Sequence, residues 1–176
     1  MDETLPPRLH YTDEFIRETL KLVHTIAMVG ASNNTSRPSF LVLKYLMGRG
    51  YRVFAINPGL AGGTIAGAPV YARLSDVPEP VDMVDIFRNS AAAGDVVDEA
   101  LQLVPLPKVI WMQLSVRHDA AAARAQAQGV RVIMDRCPKI EFGRLSGESG
   151  WNGLNSRILS SRKPIMAKGS VQKRRL

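Results

Sequence analysis

Apolar residues in this chain form short continuous runs, separated by longer segments with helical spacing. Continuous apolar runs of this length are typical of parallel strands that are covered by helices on both faces. The runs that predict strands lie at residues 25–30, 51–57, 81–87, 108–113 and 130–135. The loop after the second run adds a short strand segment at 70–72 and a helical turn at 74–77.

Helical periodicity occupies the intervals between these strands. Thr12 is the expected N-cap of a helix that precedes the first strand, and Pro38 marks the start of the next helix. The helices are predicted over residues 13–22, 38–50, 90–104 and 117–129. A last segment, 139–145, is expected to lie back on the sheet.

Strands and helices alternate about five times at the spacing of βαβ units. This alternation predicts an α/β fold, a Rossmann-like doubly wound parallel sheet of about five to six strands with helices on both faces. The expected organisation is an N-terminal extension with one helix (1–22), one Rossmann-like domain (23–146) and a Gly-rich, then basic C-terminal tail (147–176).

The net charge of +7 arises in the tail. Residues 157–176 contain seven Lys and Arg and no acidic residue, whereas the rest of the chain has 16 basic and 16 acidic residues. A basic tail can attract RNA or a larger complex, which leaves a nucleic-acid partner as one alternative. No aromatic residue is interleaved with these charges, so we expect a solubilising end and no nucleic-acid partner.

The remaining composition argues against several classes of protein. No apolar run reaches about 18 residues, so no membrane span is expected, and the acidic N-terminus lacks a hydrophobic signal core. Cys137 is the single cysteine, which excludes an internal disulfide framework and agrees with a cytoplasmic location. Neither metal-ligand spacing nor a catalytic triad is apparent, so no metal is expected.

In doubly wound sheets, ligands bind at the carboxyl ends of the strands. Here the first strand ends in the turn GASNNTSRPS (30–39), where Gly30 permits a sharp turn and the next helix points its N–H groups outward. Hydroxyl groups and Arg37 add donors suited to a diphosphate. A nicotinamide dinucleotide is disfavoured, because Ser32 and Thr35 replace two glycines of its fingerprint and Asn57 replaces the expected acid.

Four motifs in order, VGAS…RPS…YLMGRGYRVFAINP, VDMVDIFR, WMQLSVRH and GVRVIMDRCPKIEF, resemble the small CoA-binding proteins. That family shares the fold of the CoA-binding domain of the succinyl-CoA synthetase α-subunit. The resemblance spans about residues 20–145 and implies that the chain binds coenzyme A or an acyl-CoA through its nucleotide and diphosphate. The ligand-binding residues expected from the turn and from the resemblance are Gly30, Ala31, Ser32, Asn33, Ser36, Arg37, Ser39, Asn57, Pro58, Phe87, Arg88 and Gln113.

The chain departs from the synthetase pattern in its second-strand loop, NPGLAGG, which has no Lys. Arg37 is expected to substitute for that phosphate contact, and the 3′-phosphate of coenzyme A favours Arg37 and Arg88 over an acidic ribose clamp. The synthetase also uses a second domain with a phosphorylated His and a partner subunit, and we expect neither in this chain, where about 30 residues follow the predicted domain. We therefore expect no catalytic machinery, with His118 in a surface or capping role.

Alternative functions follow from particular residues. Cys137 is expected to be a half-buried small apolar residue. If Arg136 and Lys139 instead lower the pKa of its thiol and favour the thiolate, a redox protein that forms a mixed disulfide with coenzyme A is one alternative. An NAD(P)-dependent oxidoreductase is another. A homo-oligomer or an unidentified protein partner also stays open, since the sequence does not specify an assembly.

Overall fold

The computed structural model describes residues 9–147, so nearly all of the predicted tail lies outside the described residues. Each predicted strand and helix is present, with its ends within a few residues of the expectation. The helices are α1 (Asp13–Leu22), α2 (Pro38–Gly48), α3 (Ser90–Ala100), α4 (Asp119–Ala127) and α5 (Pro138–Leu145). The strands are β1 (Thr25–Val29), β2 (Arg52–Ile56), β3 (Thr64–Ile65), β4 (Ala68–Tyr71), β5 (Met83–Ile86), β6 (Val109–Met112) and β7 (Arg131–Ile133).

The strands form one sheet in the order β3-β4-β2-β1-β5-β6-β7. All neighbours are parallel except β3 and β4, which form an antiparallel hairpin at one edge. The chain leaves β1 toward β2 on one side, and β5 lies on the other side of β1, so the topological switch point falls at the carboxyl end of β1. The prediction of a doubly wound α/β fold is confirmed.

The described sheet has seven strands rather than five or six. The strand missed by the sequence is β3, which has two residues and joins β4 through a tight turn at Ala66 and Gly67, both with positive φ. Such a turn suits a two-residue hairpin, but a two-residue strand carries no periodicity to recognise.

Two apolar layers cover the sheet because side chains alternate along each strand. In β1, Ile26 and Met28 pack with apolar residues of α1, α2 and α5, whereas Ala27 and Val29 pack with α3 and α4. Ile16 and Leu20 of α1 are buried in the first layer. The first helix therefore covers the sheet together with α5, which it contacts.

The structure defines three predicted segments more closely. The segment 139–145, expected to lie back on the sheet, does so as part of helix α5, which starts at Pro138 and packs Phe142 into the apolar layer. Helix α3 stops at Ala100 rather than at residue 104, although Leu101 and Leu103 continue its apolar pattern and pack on the core from a turn. Helix α4 begins at Asp119 because His118 is its N-cap.

No helix in the described range 9–147 combines the length and the apolar character needed to cross a membrane.

Candidate functional site

A cavity of about 560 Å³ opens at the carboxyl ends of β1, β2 and β5, beside the topological switch point. This volume falls within the range of roughly 300–1,000 Å³ that is usual for small-molecule sites. We call it the glycine-turn cavity. It is lined by Val29, Gly30, Ala31, Ser32, Arg37, Pro38, Ser39, Ile56, Asn57, Pro58, Ala72, Phe87, Arg88, Ala92, Asp95, Val96 and Glu99.

Gly30 holds the loop after β5 against the turn after β1. Its φ is +85°, and a Cβ at this position would lie 2.6 Å from the carbonyl oxygen of Phe87. On either side of this contact, the Gly30 N–H donates to the carbonyl of Ile56 and the Phe87 N–H donates to that of Val29. Any side chain at position 30 would push Phe87 and Arg88 away from the turn, so glycine is required for the geometry of the cavity.

Asn57 connects the loop after β2 to the same turn. Its Nδ2 donates to the carbonyl oxygen of Ala31 at 2.8 Å, and its Oδ1 accepts from the Gly59 N–H at 2.9 Å. An aspartate could accept the second bond but could not donate the first. The absence of the acid that a nicotinamide dinucleotide site requires therefore has a structural reason, because the amide at this position bridges two loops.

The N-terminus of α2 faces the cavity without a cap from its own side chains. Arg37 is the N-cap residue and makes no side-chain cap hydrogen bond, and Pro38 follows at the first helical position. Farther out, the Ser32 hydroxyl accepts from the Asn34 N–H, and Asn34 Oδ1 accepts from the N–H and hydroxyl of Ser36. These local bonds fix the shape of the turn. In α2 itself, Pro38 has no N–H, and the N–H groups of Phe40 and Leu41 donate to the Arg37 carbonyl. The Ser39 N–H and the positive end of the helix dipole are what the start of α2 offers to an anion.

The two arginines that line the cavity form no ion pair within residues 9–147. Arg37 and Arg88 are exposed, and neither guanidinium forms an ion pair with a described residue. Elsewhere on the described surface, Arg52, Arg124 and Arg144 pair with Glu79, Asp98 and Asp13 at 2.7–2.9 Å. The two cavity arginines are therefore positioned to bind an anionic ligand.

Most of the expected ligand-binding residues line this one cavity, including Gly30, Arg37, Asn57 and Arg88. Asn33 and Ser36 lie in the same turn but outside the lining. Gln113, which was expected to face the crevice, does not line the cavity and is buried; its Nε2 donates to Asp85 Oδ1 at 2.8 Å.

Asp85 is a buried residue that sequence reasoning did not single out. It lies within β5, flanked in register by Met28 and Trp111, and is 0% exposed. Burial raises the pKa of its carboxyl to about 7, and the hydrogen bond from Gln113 only partly opposes this rise. Its Oδ2 has no hydrogen-bond partner among the described residues. The signal in the sequence was an aspartate with apolar residues on both sides, MVDIF (83–87).

Cys137 does not have the environment expected from its sequence neighbours. The residue is 7% exposed, and burial raises the pKa of its thiol despite hydrogen bonds from the N–H groups of Ile140 and Lys139. Arg136 instead donates to the carbonyls of Asp135 and Leu9. The alternative of a lowered pKa is thus wrong, because desolvation outweighs the nearby positive charge.

His118 has the expected capping role. Its Nδ1 accepts from the Ala121 N–H at 3.2 Å as the N-cap of α4. In the stretch 9–147, no three His, Cys, Asp or Glu side chains come together in a group that could hold a metal ion.

The wall formed by α3 adds two residues that sequence reasoning missed, Asp95 and Glu99. They are four positions apart and therefore lie on one face of the helix, together with Ala92 and Val96. The i, i+4 spacing was visible in the sequence, but only the topology reveals that this face turns toward the switch point.

Comparison with known proteins identifies residues 24–143 with the family described as CoA binding domain. The Bacillus subtilis protein YneT is 31% identical over 125 residues, which cover 71% of this chain and 90% of YneT. A structure from Thermus thermophilus is 37% identical with a TM-score of 0.72, covering 77% of this chain and 99% of that one.

A more distant structure is the dinucleotide-forming acetyl-coenzyme A synthetase 1 of Candidatus Korarchaeum cryptofilum, in complex with phosphate and ADP. It is 26% identical with a TM-score of 0.55, and the match covers 66% of this chain but 26% of the synthetase chain. The similarity therefore concerns one part of that enzyme.

Proposed function

This chain belongs to the CoA-binding domain family, and from that premise we propose that it binds coenzyme A or an acyl-CoA in the glycine-turn cavity. The nucleotide and the diphosphate occupy the carboxyl ends of β1, β2 and β5. The single observation that carries the proposal is that two arginines without a described counterion, Arg37 and Arg88, line the same cavity as the uncapped N-terminus of α2.

The diphosphate is assigned to the turn from Gly30 to Ser39. The Ser39 N–H at the start of α2 and the positive end of the helix dipole stabilise an anion there. Arg37 approaches from the helix start and Arg88 from the loop after β5, so two guanidinium groups can share the charge of the diphosphate and of the 3′-phosphate. The flanking residues Asn57, Pro58 and Phe87 then contact the nucleoside.

Two alternatives receive less support from the geometry. An NAD(P)-dependent oxidoreductase would use an acid at the end of β2, whereas Asn57 uses its amide to bridge two loops. A mixed disulfide between Cys137 and coenzyme A would need an accessible thiolate, whereas the thiol is buried with a raised pKa. We therefore propose ligand binding without catalysis by this domain.

The proposal is tested by isothermal titration calorimetry of the purified protein with coenzyme A and with NAD⁺. We expect saturable binding of coenzyme A and none of NAD⁺. Replacing Arg37 or Arg88 by Gln removes a charge-assisted hydrogen bond of about 1.5–3 kcal/mol, so each variant should lose roughly tenfold or more in affinity. The losses should shrink as salt concentration rises.

Arg124→Gln is the matched control, because Arg124 is also exposed but pairs with Asp98 outside the cavity. This variant should bind coenzyme A as the parent does. The proposal is overturned if the parent protein shows no binding of coenzyme A, or if the double variant Arg37→Gln/Arg88→Gln binds it as well as Arg124→Gln.

A further inference from the structure

Helix α3 gives the glycine-turn cavity an acidic wall. Asp95 and Glu99 line the cavity from one face of the helix, and Val96 of the same helix also contributes to the lining. Arg88 lies two residues before the start of the same helix, and Asp95 lies about 7.5 Å farther along its axis than Ser90. Positive and negative groups are therefore separated along one wall of the cavity.

The two acids differ in what they already bind. Glu99 Oε1 accepts from the Leu74 N–H at 2.9 Å, which holds this side chain against the turn after β4. Asp95 has neither a hydrogen-bond donor nor a cation among residues 9–147. Apart from Glu14, every other acidic residue in that range accepts a hydrogen bond or forms an ion pair.

Asp98 provides the contrast on the same helix. It is three positions beyond Asp95, and its carboxylate makes a two-point contact with Arg124 at 2.9 and 3.0 Å. Asp98 thus has its partner in the protein, on the side of α3 that faces α4. Asp95 instead lines the cavity, where no described residue donates to its carboxylate.

The cavity that Asp95 lines also has apolar surface. Ile56, Pro58, Ala72 and Val96 contribute to its lining, which suits the faces of a base and a ribose. A carboxylate can only accept hydrogen bonds, so it favours a ligand group that donates and disfavours a phosphate.

We propose that Asp95 is a specificity-determining residue of this cavity, whose carboxylate accepts a hydrogen bond from a donor of the bound nucleoside. The donor is the exocyclic amine of adenine or a hydroxyl group of the ribose. The inference rests on the proposed function and deepens it, because it orients the ligand: phosphates toward Arg37 and Arg88, nucleoside donor toward α3. A ligand without the donor leaves a partly desolvated carboxylate unpaired and is rejected.

The test compares coenzyme A with two analogues by calorimetry. In 1,N6-etheno-coenzyme A the exocyclic amine is closed into a ring, and in 2′-deoxy-coenzyme A the free ribose hydroxyl is missing. The parent protein should bind one of these analogues at least about tenfold more weakly than coenzyme A, and the identity of that analogue names the donor.

In Asp95→Ala, coenzyme A and the analogue that lacks the donor should bind almost equally well. Coenzyme A loses its hydrogen bond to the carboxylate in this variant, whereas the analogue has no such bond to lose. Asp95→Asn keeps an acceptor oxygen and should restore part of the preference. Asp98→Ala is the matched control, because Asp98 is an exposed aspartate of the same helix that lies outside the cavity, and it should preserve the preference of the parent. Thermal unfolding of each variant checks that α3 stays folded.

Three results would overturn the inference. If Asp95→Ala binds coenzyme A and keeps the preference of the parent, Asp95 has no role in specificity. If Asp95→Ala binds coenzyme A more tightly but 3′-dephospho-coenzyme A as before, Asp95 faces the 3′-phosphate and repels it. If the parent protein does not bind coenzyme A, the proposed function fails and the inference fails with it, which is distinct from the first two results.

Discussion

Two polar regions lie near the carboxyl edge of the same sheet and differ in their exposure to solvent and in the charge of their groups. The glycine-turn cavity is open, and Arg37, Arg88 and Asp95 line it without described partners. The buried polar cluster, which we define as Asp85, Gln113 and Cys137, is closed to solvent, and burial raises the pKa of both of its acidic groups.

The difference teaches which polar residues are available to a ligand. Charges in an open cavity remain hydrated until an anion or a donor replaces the water, so they cost little while unpaired. A carboxylate in the interior carries a large desolvation penalty, so a carboxyl group such as that of Asp85 becomes neutral there. Unpaired charge at the surface of a cleft therefore indicates a binding site, whereas a buried neutral acid affects the stability of the fold and its pH dependence.

The largest expected effect concerns Asp85. Its pKa is about 7 in the folded protein, above the ordinary value of 3.8, so the folded state binds more protons between these values. Stability from this group is present below pH 4 and is lost as the pH rises toward 7, by roughly 4 kcal/mol in total. Asp85→Asn should gain stability relative to the parent by about that amount between pH 4 and pH 8.

Urea unfolding of both proteins at several pH values measures this gain, because all other titrating groups are common to the two and cancel. The amide introduced by Asp85→Asn would still accept from Gln113, so the variant is expected to fold. A stability difference that stays constant from pH 4 to pH 8 would contradict the neutral, buried state of Asp85.

The next effect concerns the glycine that shapes the open cavity. Gly30→Ala combines a left-handed backbone with a Cβ contact of 2.6 Å to the Phe87 carbonyl oxygen. We expect a loss of roughly 3 kcal/mol in stability, together with loss of coenzyme A binding as Phe87 and Arg88 shift. Thermal unfolding and calorimetry measure the two effects.

Gly129→Ala is the matched control, because Gly129 also has a positive φ, +82°, but no atom lies within 4 Å of a Cβ there. It should lose only about 1 kcal/mol and bind coenzyme A normally. Equal effects of the two substitutions would show that the contact between the turns does not shape the cavity.

A smaller effect is expected at the bridge between the β1 and β2 turns. Asn57→Asp removes the hydrogen bond from Nδ2 to the Ala31 carbonyl oxygen and places a carboxylate oxygen next to that carbonyl oxygen. The loss should be roughly 2 kcal/mol in stability, measured by urea unfolding, and NAD⁺ should still not bind. Asn89→Asp is the control, since Asn89 only accepts from the Ala92 N–H and an aspartate can do the same. Gain of NAD⁺ binding by Asn57→Asp would restore the oxidoreductase hypothesis.

The sequence was sufficient to predict the doubly wound fold and the turn at Gly30, because both depend on local signals. Continuous apolar runs indicated parallel strands, and a glycine followed by a proline-started helix indicated the anion-binding turn. The hairpin strand β3 was missed because two residues carry no period.

The environments of Cys137 and Gln113 were not predictable in the same way. Both follow strands that end at the carboxyl edge, but the apolar layer under α5 encloses Cys137, and Gln113 turns inward to Asp85. Nearness to Arg136 and Lys139 in the sequence says nothing about solvent exposure, which decides the pKa of a thiol. Depth below the surface is a property of the packed helices, so it appears only in three dimensions.

The smallest effect is expected at Cys137, and it distinguishes a structural role of this residue from a reactive thiol. Cys137→Ala removes one buried sulfur atom and should cost about 1 kcal/mol of stability, with coenzyme A affinity unchanged because the residue does not line the cavity. The folded parent protein incubated with coenzyme A disulfide should show no added coenzyme A mass on Cys137, whereas protein unfolded in urea should form the adduct. An adduct on the folded protein would mean that coenzyme A disulfide reaches the buried polar cluster. The contrast between an open cavity and a closed cluster would then be wrong, and the redox hypothesis for Cys137 would be supported.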